Sequence, residues 1–275
     1  MDIYSGKSPA HPWFLVTTSL RPTPAQTDLA KHLAVTLQAP FVKRNDFSLE
    51  TLSTRFSAAG LVVVSSQRVS YISGGSEFFF HPGIAKLRIK ELKSGKTDQM
   101  IAAMSLLPGD TVLDCTLGLG ADAVVAGYIS GACGRITGLE SSPVIAALVE
   151  RGLATYTDKD QDITPAMRRV KVININYKEY LASLEPCCFD VVYFDPMFRF
   201  PRRNSPSINA ARSLADHAPV CREAVAIALK VATKRVVMKE RRNSSEFARL
   251  GFKTIVGGRY APVVYGVIEL RGKSQ

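Results

Sequence analysis

Long apolar runs are missing from this 275-residue chain: none approaches the roughly 18–20 residues needed to cross a bilayer as a helix. The first residues, "MDIYSGKSPAHPW", also lack the basic-then-apolar pattern of a secretory signal. A cytoplasmic protein with no membrane partner is the expectation. The five cysteines (115, 133, 187, 188, 221) contain no CxxC pair, so their spacing gives neither a zinc site nor a disulfide framework. Four histidines (11, 32, 81, 217) are too scattered to suggest a metal cluster, and no metal is assigned. Internal repeats and low-complexity blocks are lacking as well.

Acidic residues are comparatively scarce, 24 against 35 Lys and Arg, leaving a formal charge of +11 and a pI near 9.5. An excess of that size favours a polyanionic partner, because Lys and Arg contact phosphates and displace their counterions. With 46% hydrophobic residues the chain can bury one large core or two modest ones.

From about residue 110, short apolar runs alternate with helical patterns, which is the signature of an α/β fold with a parallel sheet. Strands are expected at 110–116, 135–140, 170–175, 189–195 and 235–239, with helices at 121–130, 142–156 and through "REAVAIALKVATK". The end, "FKTIVGGRYAPVVYGVIEL", reads as an antiparallel hairpin closing the sheet edge. Residues 1–95 form a separate small α/β domain in this reading, with strands at 14–20 and 61–66 and polar-capped helices from Thr23 and Ser48. At its end Lys86, Arg88 and Lys90 alternate with Leu87 and Ile89. Period two predicts a strand with one basic face, serving either as a Lys-protected edge or as a phosphate contact. "SGKTD" is not a phosphate-binding loop, since Lys90 stands where that motif needs Gly; Thr97 or Asp98 instead caps a helix over "DQMIAAMSLL".

"VLDCTLGLGADA" carries the first chemical signal. Gly118 and Gly120 follow a strand and open a helix, and Glu140 lies 20 residues beyond Gly120, the interval to a ribose-binding acid. The spacing alone admits NAD, FAD or another adenosine ligand. Asp114 opposes a pyrophosphate but attracts an amino group. The pattern D-x-T-x-G-x-G resembles motif I of class I S-adenosylmethionine (SAM)-dependent methyltransferases, with Thr116 where many members carry Gly. That resemblance implies SAM as methyl donor and S-adenosyl-L-homocysteine as product. Glu140 then takes both ribose hydroxyls, and Asn176 with Tyr177 falls at the usual adenine-contacting point.

Asp195-Pro196-Met197-Phe198 follows the fourth strand and resembles the [DN]-P-P-[YF] motif of methyltransferases acting on exocyclic base amines. The residue types suit that chemistry. Asp195 and the Pro196 carbonyl can each accept one amine N–H, aiming the nitrogen lone pair at the methyl group. Proline fixes the backbone, and Phe198 offers a stacking face worth roughly 1–3 kcal/mol. A base inside a duplex cannot reach such a pocket, so a single-stranded, looped or flipped substrate is required. Arg199, Arg202, Arg203 and Arg212 follow the motif, and Lys239, Arg241 and Arg242 end the fifth strand at the same edge. These residues, with Lys86, Arg88 and Lys90, are the candidate RNA contacts.

"FDVVYFDPMF", together with "LESSPVIAALVERGL" and "ATKRVVMKERR", is similar to the RsmJ family, SAM-dependent enzymes that methylate guanine N2 in small-subunit ribosomal RNA. The similarity covers about residues 95 to 240, and Met197 is a feature of that family. It implies a Rossmann-like class I methyltransferase domain over 96–275 with a seven-stranded sheet. It also implies SAM contacts at Ala121, Asp122, Glu140, Ser141, Asn176, Tyr177 and Asp195, and small-subunit ribosomal RNA or the ribosomal subunit as partner. Arg199-Phe200 intervene before Pro201, where the family has proline directly, and the following loop and the N-terminal region diverge. An adenine-N6 or small-molecule amine methyltransferase, and a non-catalytic RNA-binding protein with a SAM fold, remain alternatives.

Overall fold

The computed structural model describes residues 13–196 and 210–270, which fall into two compact units. The first holds residues up to Phe80 and the segment ending at Ala215; the second runs from His81 and resumes at Asp216. The division falls after Phe80 rather than at residue 95, so the basic segment goes with the second unit.

In the first unit, β1 (Phe14–Thr18) pairs in parallel with β2 (Gly60–Val64). β3 (Val69–Ser73) and β4 (Ser76–Phe79) then add antiparallel strands. The all-apolar run of β2 is buried throughout, as a central strand covered on both faces should be. Helix α1 (Pro24–Thr36) starts on a capping box, in which the Thr23 hydroxyl accepts from Gln26 N and the Gln26 side chain accepts from Thr23 N. Ser48 caps α2 (Leu49–Arg55).

The second unit opens with α3 (Gly83–Lys93) and α4 (Gln99–Met104), the latter capped by Asp98. Residues 86–90 are therefore helical, which corrects the strand expectation. Leu87 of the supposed apolar face is exposed, whereas Ala85 and Ile89, one helical turn apart, are buried. Then follow β5 (Thr111–Asp114), α5 (Ala121–Ser130), β6 (Arg135–Glu140), α6 (Pro143–Thr155), α7 (Ile163–Arg168), β7 (Val170–Asn174), α8 (Tyr177–Ala182) and β8 (Phe189–Phe194). The unit finishes with α9 (Arg222–Val231), β9 (Ala232–Arg241), α10 (Glu246–Leu250), β10 (Thr254–Val256) and β11 (Val263–Glu269).

Its seven-stranded sheet has the order β10-β11-β9-β8-β5-β6-β7, with β11 antiparallel to both of its neighbours and the run β9-β8-β5-β6-β7 paired in parallel. Leu113, Val192, Phe194, Val236 and Met238 pack on one face against Tyr177 and Leu181 of α8 and Ala224, Val225 and Ala228 of α9. The chain leaves β5 toward β6 on one side and returns to β8 on the other. The strand order therefore reverses at the carboxyl end of β5, where open α/β sheets bind their ligands.

Candidate active site

Five strand ends meet at that edge. β5 ends on Asp114, β6 on Glu140 and β7 on Asn174; β8 leads into Asp195, and β9 carries Lys239 near its end. The register that pairs Phe194 with Met238 sets the next residues, Asp195 and Lys239, side by side.

Asp114 is buried, with 1% of its surface exposed, and its carboxylate accepts the Thr116 N–H at 3.0 Å. Burial pushes its pKa well above the ordinary carboxylate range; the Thr116 N–H opposes the shift and the nearby Asp122 and Asp195 charges add to it. Thr116, the departure from the Gly of motif I, has a structural use: its hydroxyl accepts the Asp195 N–H at 2.5 Å, tying the β5 turn to the tip of β8.

The turn 115–120 is shaped by two glycines with positive φ, Gly118 at 50° and Gly120 at 75°, the second serving as N-cap of α5. Glu140 is clamped by this turn. One carboxylate oxygen accepts Gly118 N–H at 3.1 Å and the other Ser142 N–H at 2.8 Å. Burial raises its pKa, and these two N–H groups pull it back. Each oxygen keeps a free lone pair for a further donor. The Glu140 and Ser141 carbonyls accept from the Asn174 amide at 2.8 and 3.3 Å. Asn176 caps α8 by accepting Lys178 N–H at 3.0 Å. Tyr177 packs edge-on against Phe194, with ring centroids 5.7 Å apart.

Deeper lies a chain of charges. Arg88 is ion-paired with Asp98 (2.7 Å) and with Asp122. Lys239 Nζ lies 3.0 Å from Asp122 Oδ2 and 2.7 Å from Asp195 Oδ2. The Tyr193 hydroxyl donates to Asp122 Oδ2 at 2.8 Å. Burial alone would raise Asp122, but Lys239 and Arg88 outweigh it and hold its pKa below the usual carboxylate range. Partial burial and the neighbouring Asp122 charge raise the pKa of Asp195, Lys239 opposes them, and the group is pushed up to about 6.

Of the residues predicted from sequence, Asp114, Thr116, Asp122 and Asp195 are joined by direct bonds or through Lys239, while Gly118 and Glu140 form a second linked group, joined by Asn174, which the sequence reading did not single out. Two of the expected RNA contacts are found elsewhere: Arg88 and Lys239 are engaged inside the ion-pair chain. Lys86 pairs with Asp158 at 2.5 Å, and Lys90 is exposed on α3. Arg242 donates to the Ala261 and Gly258 carbonyls and so braces the 257–262 loop, and Arg241 is the last residue of β9. Met197, Phe198, Arg199, Arg202 and Arg203 lie outside the described residues. Sequence reading missed Tyr193 and Asp98 as members of the network. It also mistook the role of Lys239, although a lone cation ending the buried run "RVVM" was a visible signal.

The donor set fits SAM. An acid at Asp114 suits a cationic amino acid end and would repel a pyrophosphate. Glu140, immobilised by two N–H groups, suits a pair of ribose hydroxyls. The turn between them is open: a Cβ on Gly118 would meet only the Thr116 carbonyl oxygen, at 3.8 Å.

The sequence family described as "Putative SAM-dependent methyltransferase" matches residues 75–256. The Bacillus subtilis protein YpiP, itself described as uncharacterized, is 36% identical over 256 residues, spanning 93% of this chain and 99% of its own. The "Ribosomal RNA small subunit methyltransferase J" of Coxiella burnetii is 30% identical over 243 residues, or 81% of this chain and 85% of that one. The chain belongs to the RsmJ-like family of SAM-dependent methyltransferases. The protein of the same name from Hydrogenovibrio crunogenus is 32% identical over 160 residues, 56% of each chain. Among solved structures, a SAM-dependent methyltransferase from Neisseria gonorrhoeae superposes with a TM-score of 0.62 at 20% identity, covering 94% of this chain and 97% of its own. That likeness shows the fold. The RsmJ-like chain thus has a Rossmann-like class I domain and uses SAM. Among the described residues no helix is long and apolar enough to cross a membrane, and no group of three or more His, Cys, Asp or Glu could hold a metal ion.

Proposed function

We propose that this protein methylates an exocyclic base amine of RNA, guanine N2 in small-subunit ribosomal RNA, as the names of its relatives suggest. The observation that carries this reading is Asp195 at the tip of β8. One of its oxygens is held by Lys239, and its backbone is tied to Thr116 beside the SAM-type turn.

SAM supplies an electrophilic methyl group whose S–C bonding electrons stay with sulfur on transfer. The chain's part is positional and electrostatic. Asp195 and the Pro196 carbonyl accept the two amine N–H groups, and Phe198 stacks on the base. As the N–C bond forms, Asp195 takes one N–H proton and the nitrogen returns to neutrality. Asp114 and Glu140, with Gly118, Gly120, Ala121, Asp122, Ser141, Asn176 and Tyr177, form the cofactor cradle. Arg199, Arg202, Arg203, Arg241, Arg242 and Lys90 are the proposed phosphate contacts, Arg242 in addition to its bonds to the 257–262 loop.

The test is nucleoside mass spectrometry of ribosomal RNA from a deletion strain, complemented with wild type or Asp195→Ala. Loss of N2-methylguanosine that only wild type restores supports the proposal. An unchanged N2-methylguanosine level with loss of another methylated nucleoside would overturn it.

A further inference from the structure

The amine-acceptor reading of Asp195 leaves a geometric problem. A carboxylate has two equivalent oxygens and a freely turning χ2, yet an amine N–H must be met at one fixed point. The structure supplies a solution. Lys239 comes up from the adjacent strand and engages Oδ2 of Asp195 at 2.7 Å, while no cation among the described residues engages Oδ1. Lys239 is itself pinned, because its ammonium also donates to Asp122 Oδ2 at 3.0 Å. Asp122 in turn is fixed by Arg88 from α3 and by the Tyr193 hydroxyl from β8.

We propose, resting on that reading of Asp195, that Lys239 is the positioning residue of the acceptor site. It commits Oδ2 and so presents Oδ1 to the substrate amine as the hydrogen-bond acceptor and then the proton acceptor.

The charges facing Asp195 make this role necessary. From β5 comes Asp114, itself pushed toward its neutral form by burial, and from α5 comes Asp122, whose charge disfavours a second carboxylate charge beside it. Tyr193 on β8 and Tyr265 on β11 are phenols that burial keeps protonated, and Tyr265 sits against Lys239. Arg88 is shared between Asp122 and Asp98, the cap of α4. Lys239 is thus the one described cation in direct contact with Asp195. Without it, desolvation and Asp122 would shift the group further toward its protonated form, which cannot take the amine proton.

The experiment compares wild type with K239M, K239R and D195N. Carbon-13 NMR of labelled Asp carboxyls, assigned with D195N, follows the Asp195 titration without substrate. Labelled-methyl transfer into ribosomal RNA from a strain lacking the enzyme gives the pH profile, and calorimetry gives S-adenosylhomocysteine affinity. We expect a wild-type titration and acid limb near pH 6. In K239M both should rise by at least one unit, with activity about 10- to 100-fold low at pH 7 and only partly recovered at pH 9, where the carboxylate is ionised but no longer held in one orientation. S-adenosylhomocysteine affinity should stay within about threefold, and K239R should lie near wild type. An unmoved carboxyl titration, or activity fully restored at pH 9, overturns the proposal. If K239M does not fold, K239Q carries the same comparison with the same outcomes. Wild-type activity in D195N would instead overturn the acceptor reading itself, a result distinct from any behaviour of Lys239.

Discussion

The Thr116 hydroxyl accepts the backbone N–H of Asp195 at 2.5 Å. This single bond joins the turn after β5, which cradles the cofactor, to the tip of β8, which meets the acceptor. Thr116→Val keeps the shape and removes the acceptor, leaving a partly buried N–H unsatisfied at a cost of roughly 1–3 kcal/mol. If that cost falls on the aligned state, kcat should drop about 5- to 100-fold. Thr116→Ser should restore most of it. Steady-state kinetics of the two variants, with melting temperatures to confirm folding, decide the matter: equal losses in both would sink the explanation.

Asp122 is the hub of the ion-pair chain, so its removal should be felt in both stability and titration. Breaking a buried pair costs roughly 3–5 kcal/mol when the other charge is left bare. Here Arg88 keeps Asp98 and Lys239 keeps Asp195, so Asp122→Asn should cost about 2 kcal/mol in urea unfolding at pH 7. Asp122 has a depressed folded pKa. Its contribution is therefore present above the unfolded value near 3.8 and fades as pH falls toward the folded value, and the gap between variant and wild type should narrow below about pH 4. The same substitution removes a like charge beside Asp195, so the Asp195 titration should move below 6. A destabilisation that does not depend on pH would count against the charge account.

Much of this was legible in the sequence, and the residues show why. The strands from β5 to β9 are short apolar runs bounded by polar or glycine turns, and the loop after β5 repeats a spacing that serves an adenosine ligand. Asp114, Glu140 and Asp195 could be placed because each ends such a run. What failed was period. Lys86, Arg88 and Lys90 alternate with apolar residues over too few positions to separate a strand from a helix, and only the Ala85–Ile89 spacing distinguishes them. The β3–β4 hairpin was passed over although Gly74-Gly75 marks its turn. Pairing of charges was the least legible, because Arg88 and Asp122 are 34 residues apart and Lys239 and Asp122 are 117 apart. Only the fold brings them together.

Burial shifts the Asp114 carboxyl toward its protonated form, and a cationic ligand favours its ionised form. Binding of S-adenosylhomocysteine, whose amino group is cationic, should therefore release a proton. The heat measured by calorimetry should change linearly with the ionisation enthalpy of the buffer. Affinity should rise with pH until Asp114 is ionised before binding. Asp114→Asn should abolish the buffer dependence and weaken binding. Proton uptake, or no proton exchange in wild type, would contradict this.

The last expectation separates basic residues that meet RNA from those that hold the site together. A Lys or Arg that neutralises a phosphate releases counterions and adds about 0.7 to the slope of log K against log salt for a single strand. Arg88 and Lys239 are already paired with Asp98, Asp122 and Asp195, so they neutralise no phosphate and release no counterion from the RNA. Arg88→Met and Lys239→Met should leave the salt slope for a ribosomal RNA fragment unchanged while altering stability or catalysis. Lys90, exposed on α3, is the contrast: Lys90→Ala should lower the slope by about 0.7 if that face meets the backbone. Filter binding across a salt series measures all three. A reduced slope in the Arg88 or Lys239 variant would mean that these cations leave their internal partners when RNA binds.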